Sequence, residues 1–327
     1  MLAYRQSNQL GARLVRFAGD CLAKRKAAAG RLCIVNYHRI LEIADPLVAG
    51  ELDVTAFGWQ MKLLADCFNV LPLGTALEAM AANRLPPRAV CITFDDGYRS
   101  THDLALPILK QFGLPATVFV TTSCLGEGSM WNDTIREAVR LLPGDTLDLS
   151  GRQLGVFALG TPELRKAAVL RLIDIAKYLP PTERLALTSE LARLAHSQPA
   201  PGLMLTPEML HALERDGVEI GGHTVSHPIL TRLDDADARY EIEECKRQLD
   251  ALCLRPVRYF AYPNGKFGID FDARHMAMAR EAGFLAAFTT AISAATGAHD
   301  NYRLPRSRPW DTARSLYALR LLRWLAN

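Results

Sequence analysis

The chain has 327 residues, 49% of them hydrophobic and 22% charged, with a formal net charge of +3. That is ordinary globular composition with ample material for a core, which excludes a disordered or fibrous chain. The mild basicity comes without a lysine/arginine block, so the sequence gives no sign of a nucleic-acid binder.

Residues 1–30 are broken by charges every few positions and predict neither a cleaved signal nor a membrane span. They predict a basic helix, with Leu10, Leu14, Val15 and Phe17 set against Arg13, Arg16, Lys24, Arg25 and Lys26. Such helices usually pack on their own domain; a peripheral seat on anionic lipid is the alternative. The seven cysteines are scattered without a CxxC pair, which argues against a disulfide framework and for a reducing compartment. A cytoplasmic protein is expected, with the inner face of the membrane as the second location.

Beyond residue 30, short runs rich in β-branched and aromatic residues recur at 32–37 (LCIVNY), 89–94 (AVCITF), 116–121, 218–222, 257–262 and 284–290. Helical patterns lie between them at 54–67, 101–113, 206–216, 236–253 and 270–282. Strand alternating with helix predicts parallel strands, and six such units predict closure into a barrel. Residues 130–205 break the rhythm with helices at 162–178 and 182–196. They predict a helical insertion inside a single domain spanning 1–327.

Four runs deliver polar or turn chemistry at their C-terminal ends: His38, the pair Asp95 and Asp96, His223, and Pro263-Asn264-Gly265. In a barrel those ends share the face where active sites are built. HTVSHP places His223 and His227 four apart, and a helical turn there would put both imidazoles on one side. A carboxylate from a second strand end completes a two-histidine, one-carboxylate set with open positions. Zinc is the first expectation, with iron, cobalt or manganese as alternatives. Of the two adjacent aspartates, one can ligate the ion while the other serves as general base toward an activated water. Gly97 permits the tight backbone that presents both.

TFDDG (93–97), HTVSHP (223–228) and FAYPNG (260–265) resemble, in order and strand placement, the three principal motifs of the polysaccharide deacetylases. These are the NodB-like carbohydrate esterases of family 4. The resemblance covers roughly residues 32–125 and 206–306. It implies a distorted (β/α) barrel and removal of N-acetyl groups from an amino-sugar polysaccharide or its precursor. It also implies Asp95 as general base, Asp96, His223 and His227 as metal ligands, and the backbone amide of Tyr262 at the oxyanion.

Two departures stand out. Ala261 occupies the position where many members carry an arginine that orients the base, and Arg258 and Arg306 are the candidates to replace it. The usual late strand ending in Leu-His is missing, since His299 sits in the loop-like TGAHDN. VNYHRI near the start instead resembles a rearranged, exopolysaccharide-associated branch, which makes His38 the candidate general acid. Trp131, Asn132 and Asp133 are candidates to line a sugar groove, against the commoner role of an aromatic in packing. Two other classes compete. A non-haem iron oxygenase is disfavoured by the adjacent aspartates and the α/β alternation, while a non-catalytic saccharide binder on this fold is favoured by Ala261.

Overall fold

A computed structural model describes residues 15–17, 19–21, 30–48, 50–126, 128–196, 202–308 and 311–326. The N-terminal basic helix therefore falls mostly outside the described residues; those described at 15–17 and 19–21 are helical. Among the described residues no helix is long and apolar enough to cross a membrane.

The strands in chain order are β1 (Leu32–Tyr37), β2 (Ile40–Leu41), β3 (Leu52–Asp53), β4 (Asn69–Val70), β5 (Ala89–Phe94), β6 (Thr117–Val120), β7 (Thr146–Asp148), β8 (Val156–Ala158), β9 (Glu219–Gly222), β10 (Tyr259–Ala261) and β11 (Ala286–Phe288). One parallel sheet runs β1-β5-β6-β9-β10-β11, with β4 also paired to β5. A short segment around Leu304–Ser307 fills the gap between its two edges. Leu304 and Thr289 N–H groups donate to Ala287 and Leu304 carbonyls on one side, and Ser307 and Asn36 N–H groups donate to Ile34 and Ser307 carbonyls on the other. The sheet thus curls into a distorted (β/α) barrel whose closing strand is only four residues long.

Because side chains alternate across a strand, each strand serves two environments. Val35, Ile92, Phe94, Val118 and Phe260 pack outward against helices such as Val54–Cys67 and Asp235–Leu252. Leu32, Ile34, Cys91, Phe119, Tyr259, Ala261 and Phe288 form a separate inner cluster, joined by Leu73, Ala76 and Met80 of the helix Leu73–Ala81. The inward series is apolar at the N-terminal end and polar at the other: Leu32, Ile34, then Asn36; Ala89, Cys91, then Thr93 and Asp95. That gradient puts the polar chemistry at one mouth of the barrel.

The insertion contains the helices Trp131–Leu141, Pro162–Ala176 and Pro181–Leu194. It also contains an antiparallel β7–β8 hairpin that the sequence pattern did not announce. It has an apolar cluster of its own, built on Ile135, Val139, Leu147, Phe157, Leu172, Leu187 and Leu191.

Candidate active site

Asp96, His223 and His227 converge as expected, with one ligand atom from each lying within 4.8 Å of the others. The route to that convergence differs from expectation. Residues 223–229 are not helical; Thr224 and His227 have φ of 66° and 56°, and the imidazole centroids come to 4.9 Å through an irregular loop. Two buried charges hold that loop. Glu241 accepts from the N–H groups of Val225 and Ser226, both at 2.8 Å. Arg184, reaching in from the insertion, donates to the carbonyls of His227 and Ser226 at 3.3 and 3.2 Å. Asp96 is itself left-handed, with φ 74°, followed by Gly97 at 85°. Non-glycine residues in this region cost of order 1–3 kcal/mol, and their clustering around one set of side chains marks a site.

The donor set fits a divalent cation. Asp96 Oδ1 is buried without a hydrogen-bond partner, 3.6 Å from His223 Nε2 and 3.5 Å from His227 Nε2. Those gaps are long for hydrogen bonds, yet two ligands about 2.1 Å from one tetrahedral ion stand about 3.4 Å apart. His223 Nδ1 donates to the Ala261 carbonyl at 2.7 Å, which fixes the tautomer and turns the Nε2 lone pair toward the site. Burial and the carboxylates of Asp95, Asp133 and Glu51 push the Asp96 carboxyl well above its ordinary range. Burial, with His223 and Arg184, holds His227 well below its own. A cation relieves both, since ligation needs an ionised carboxylate and neutral imidazoles. His227→Ala should therefore weaken zinc binding by more than about 100-fold with the barrel intact. Metal analysis and circular dichroism on one sample check this, and full metal occupancy would remove His227 from the ligand set.

Asp95 has a different environment. Arg306, from the closing strand, donates to its Oδ1 at 2.7 Å and to its Oδ2 at 2.8 Å. Asn36, at the end of β1, adds a bond to Oδ2 at 3.0 Å. Burial alone would raise this carboxyl, but Arg306, His223 and His38 together hold it well below the usual carboxylate range. Arg306 is fully buried, its guanidinium 5.0 Å from the centroid of Phe119. It is therefore Arg306 that supplies the cation missing at Ala261. Arg258 pairs instead with Glu219 at 2.7 Å, its side chain nearly half exposed. It precedes β10 and cannot reach the mouth at the strand's other end.

These groups open into a cleft of about 410 Å3 that is also lined by His38, Trp131, Asn132 and Asn264. His38 accepts at Nδ1 from Arg308 at 3.2 Å, so its neutral ring carries the proton on Nε2. Burial first, and Arg308 second, lower it to about 4. His299 lies outside the cleft lining, bonded to Thr296 Oγ1 at 2.9 Å. Trp131 and Asn132 do line the cleft, whereas Asp133 is buried behind them and accepts from Tyr98 and Arg136.

The expectation for Tyr262 needs correction. Its N–H extends the β10–β11 ladder by donating to the Phe288 carbonyl at 3.1 Å, and its ring is fully buried, stacked at 3.7 Å on Phe271. That amide is committed to the sheet and cannot hold an oxyanion. Two residues on, Asn264 turns with φ 58° into the cleft, and its N–H donates to no group among the described residues. The signal in the sequence is the Pro-Asn-Gly turn that follows Tyr262.

Residues 82–287 match the family model described as polysaccharide deacetylase. The chain belongs to the polysaccharide deacetylase family. A poly-beta-1,6-N-acetyl-D-glucosamine N-deacetylase of Staphylococcus epidermidis is 30% identical over 112 residues, covering 30% of this chain and 38% of that protein. The Staphylococcus aureus protein of the same name is 27% identical over 126 residues, covering 35% and 43%. The aligned part thus spans about two-fifths of these relatives. Among solved structures, the Streptococcus pyogenes deacetylase PplD in complex with acetate superposes with a TM-score of 0.56 at 19% identity, covering 85% of this chain and 92% of that one. IcaB from Ammonifex degensii gives 0.56 at 18% identity, covering 91% and 97%. At such identities the likeness shows the deacetylase fold.

Proposed function

We propose that this deacetylase-family chain hydrolyses the N-acetyl group of an amino sugar in a polysaccharide or its precursor, as a metal-dependent C–N hydrolase of the exopolysaccharide-associated kind. The observation that carries the reading is the division between two adjacent aspartates: Asp96 faces two histidines, while Asp95 is locked by Arg306 and Asn36. A divalent cation held by Asp96, His223 and His227, zinc by preference for that donor set, would polarise the amide carbonyl and lower a water's pKa from about 15.7 toward 7.

Asp95 then takes the proton of the attacking water. Arg306 keeps it ionised and aimed, so the base is ready across the neutral range. The Asn264 amide is placed to donate to the carbonyl oxygen as negative charge develops there. Loss of the amine needs a proton on nitrogen, and His38 is the proposed donor. It enters the cycle uncharged with the proton on Nε2. The proton that Asp95 takes from water passes to Nδ1 as Arg308 is displaced, and the Nε2 proton passes to the leaving nitrogen. The presence of Arg306 also removes the reason for a non-catalytic reading, which rested on Ala261.

Acetate release from N-acetylglucosamine oligomers by zinc-replete protein, lost on chelation and restored by zinc, is the expected result. No acetate from protein of verified metal content, over a range of linkages and chain lengths, would refute this reading. His38→Ala should reduce turnover by about 10² to 10⁴ with metal content unchanged, whereas His299→Ala should change little. The reverse outcome would hand the acid role to His299.

A further inference from the structure

The cleft carries positive charge that its own carboxylates do not cancel. Arg306 is matched by Asp95 at 2.7 Å and Arg308 by Glu51 at 3.0 Å, and Asp96 belongs to the cation site. Lys177, also on the lining, pairs with Asp174. Arg39 and Arg136 therefore remain on the wall between the β1 end and the insertion, with one carboxylate, Asp133, between them. Asp133 is already engaged, accepting from Arg136 at 2.9 Å and from the Tyr98 hydroxyl at 2.8 Å. Arg39 reaches it only at 3.8 Å, beyond hydrogen-bond range. Among the described residues Arg39 makes no hydrogen bond; it stands over the Tyr98 ring at 5.9 Å with a quarter of its side chain exposed.

A second donor on the same cleft lacks an acceptor. The indole Nε1–H of Trp131, in the first turn of the helix that carries Asp133 and Arg136, is buried and unpartnered. A neutral acetamido sugar offers such a wall only uncharged acceptors: hydroxyl, ring and amide carbonyl oxygens. A planar guanidinium with vacant donors is the complement of a carboxylate or phosphate, which it binds through two parallel bonds.

We propose that the saccharide taken by this site bears an anionic group, carboxylate or phosphate, seated on Arg39. This names the substrate class of the deacetylase reading above and rests on it. The neutral sugar unit then lies over Asp95 and the cation site, and the anion fixes its register from the insertion side. Arg39 acts as a specificity-determining residue.

The test uses zinc-loaded protein and matched ligands. One oligomer alternates N-acetylglucosamine with glucuronic acid, its partner is the same oligomer with the carboxyls reduced to alcohols, and a third ligand is an N-acetylglucosamine oligomer ending in a 1-phosphate. Binding is measured by calorimetry in an Asp95→Asn background, and acetate release in the otherwise unaltered protein. At least one anionic ligand should bind about tenfold tighter than the reduced oligomer, with the gain falling as salt rises. Arg39→Gln should abolish that gain and leave the reduced oligomer's Kd within about twofold, with Arg39→Lys in between. Which anionic ligand gains identifies carboxylate or phosphate as the source. Equal binding of all three, or a gain that survives Arg39→Gln, overturns the proposal. Equal acetate release from charged and neutral oligomers, with no Arg39 effect, overturns it too while sparing the deacetylase reading. An Arg39-dependent binding gain without acetate from any ligand would do the opposite.

Discussion

Asp95→Asn should lower turnover per folded molecule by about 10² to 10⁴ while zinc content stays at the wild-type level. Asparagine has the shape of aspartate but no basicity to accept a proton from water. The atoms proposed to ligate the ion belong to Asp96, His223 and His227, which the change does not touch. Asp96→Asn should behave differently, losing zinc and activity together, because the orphaned Oδ1 is, among the described residues, the one carboxylate oxygen that the proposed ligand set offers. Equal zinc loss in both variants, or a near-normal rate in Asp95→Asn, would contradict the division of roles. Measuring rate and metal on the same preparations separates the cases.

Arg306→Met should be the most destabilising single change at the site, costing about 3–5 kcal/mol at neutral pH because it leaves the Asp95 charge buried without its cation. The pH dependence carries a sign that tests the cause. In the native protein the Asp95 carboxyl is held below its ordinary value of 3.8, so its contribution is present above that value and lost as pH falls through the lower folded one. Without Arg306 the burial effect dominates and the folded carboxyl rises above the unfolded one. The variant should then lose stability as pH rises, and the gap from wild type should narrow toward acid. The acid limb of its pH–rate profile should move to higher pH for the same reason. Chemical denaturation at several pH values reads the first effect; a gap independent of pH would mean that packing against Phe119, not charge, is what Arg306 supplies.

Much of this was legible in the chain. β1 and β5 came out residue for residue because LCIVNY and AVCITF are continuous apolar runs bounded by charged or turn residues. The strand ends carrying His38, Asp95, Asp96 and His223 followed from that placement. Other features depend on partners distant in sequence. A helical turn at HTVSHP was a fair local reading, but Glu241 and Arg184, brought in by other elements, stabilise a left-handed loop instead. The β7–β8 hairpin has three-residue strands, too short for alternation to register. Arg306 could be named as one of two candidates but not chosen, because RLPRSR, with its proline, gives no strand signal. Only the closed sheet shows which way it points.

The closing strand gives the molecule an order of completion. Asp95 and Arg306 are 211 positions apart, and Arg308 meets His38 across 270. The proposed ligands of the cation all lie in the segments that follow β5 and β9, and those strands associate through β6 without help from the last part of the chain. Contacts across such separations form late, after the entropy of closing a very long loop has been met. The ion's pocket can thus assemble on a nascent or refolding chain whose base still lacks its guanidinium. On the proposed ligand assignment, metal uptake would run ahead of competence, and the last few residues to join the sheet would complete the hydrolytic site.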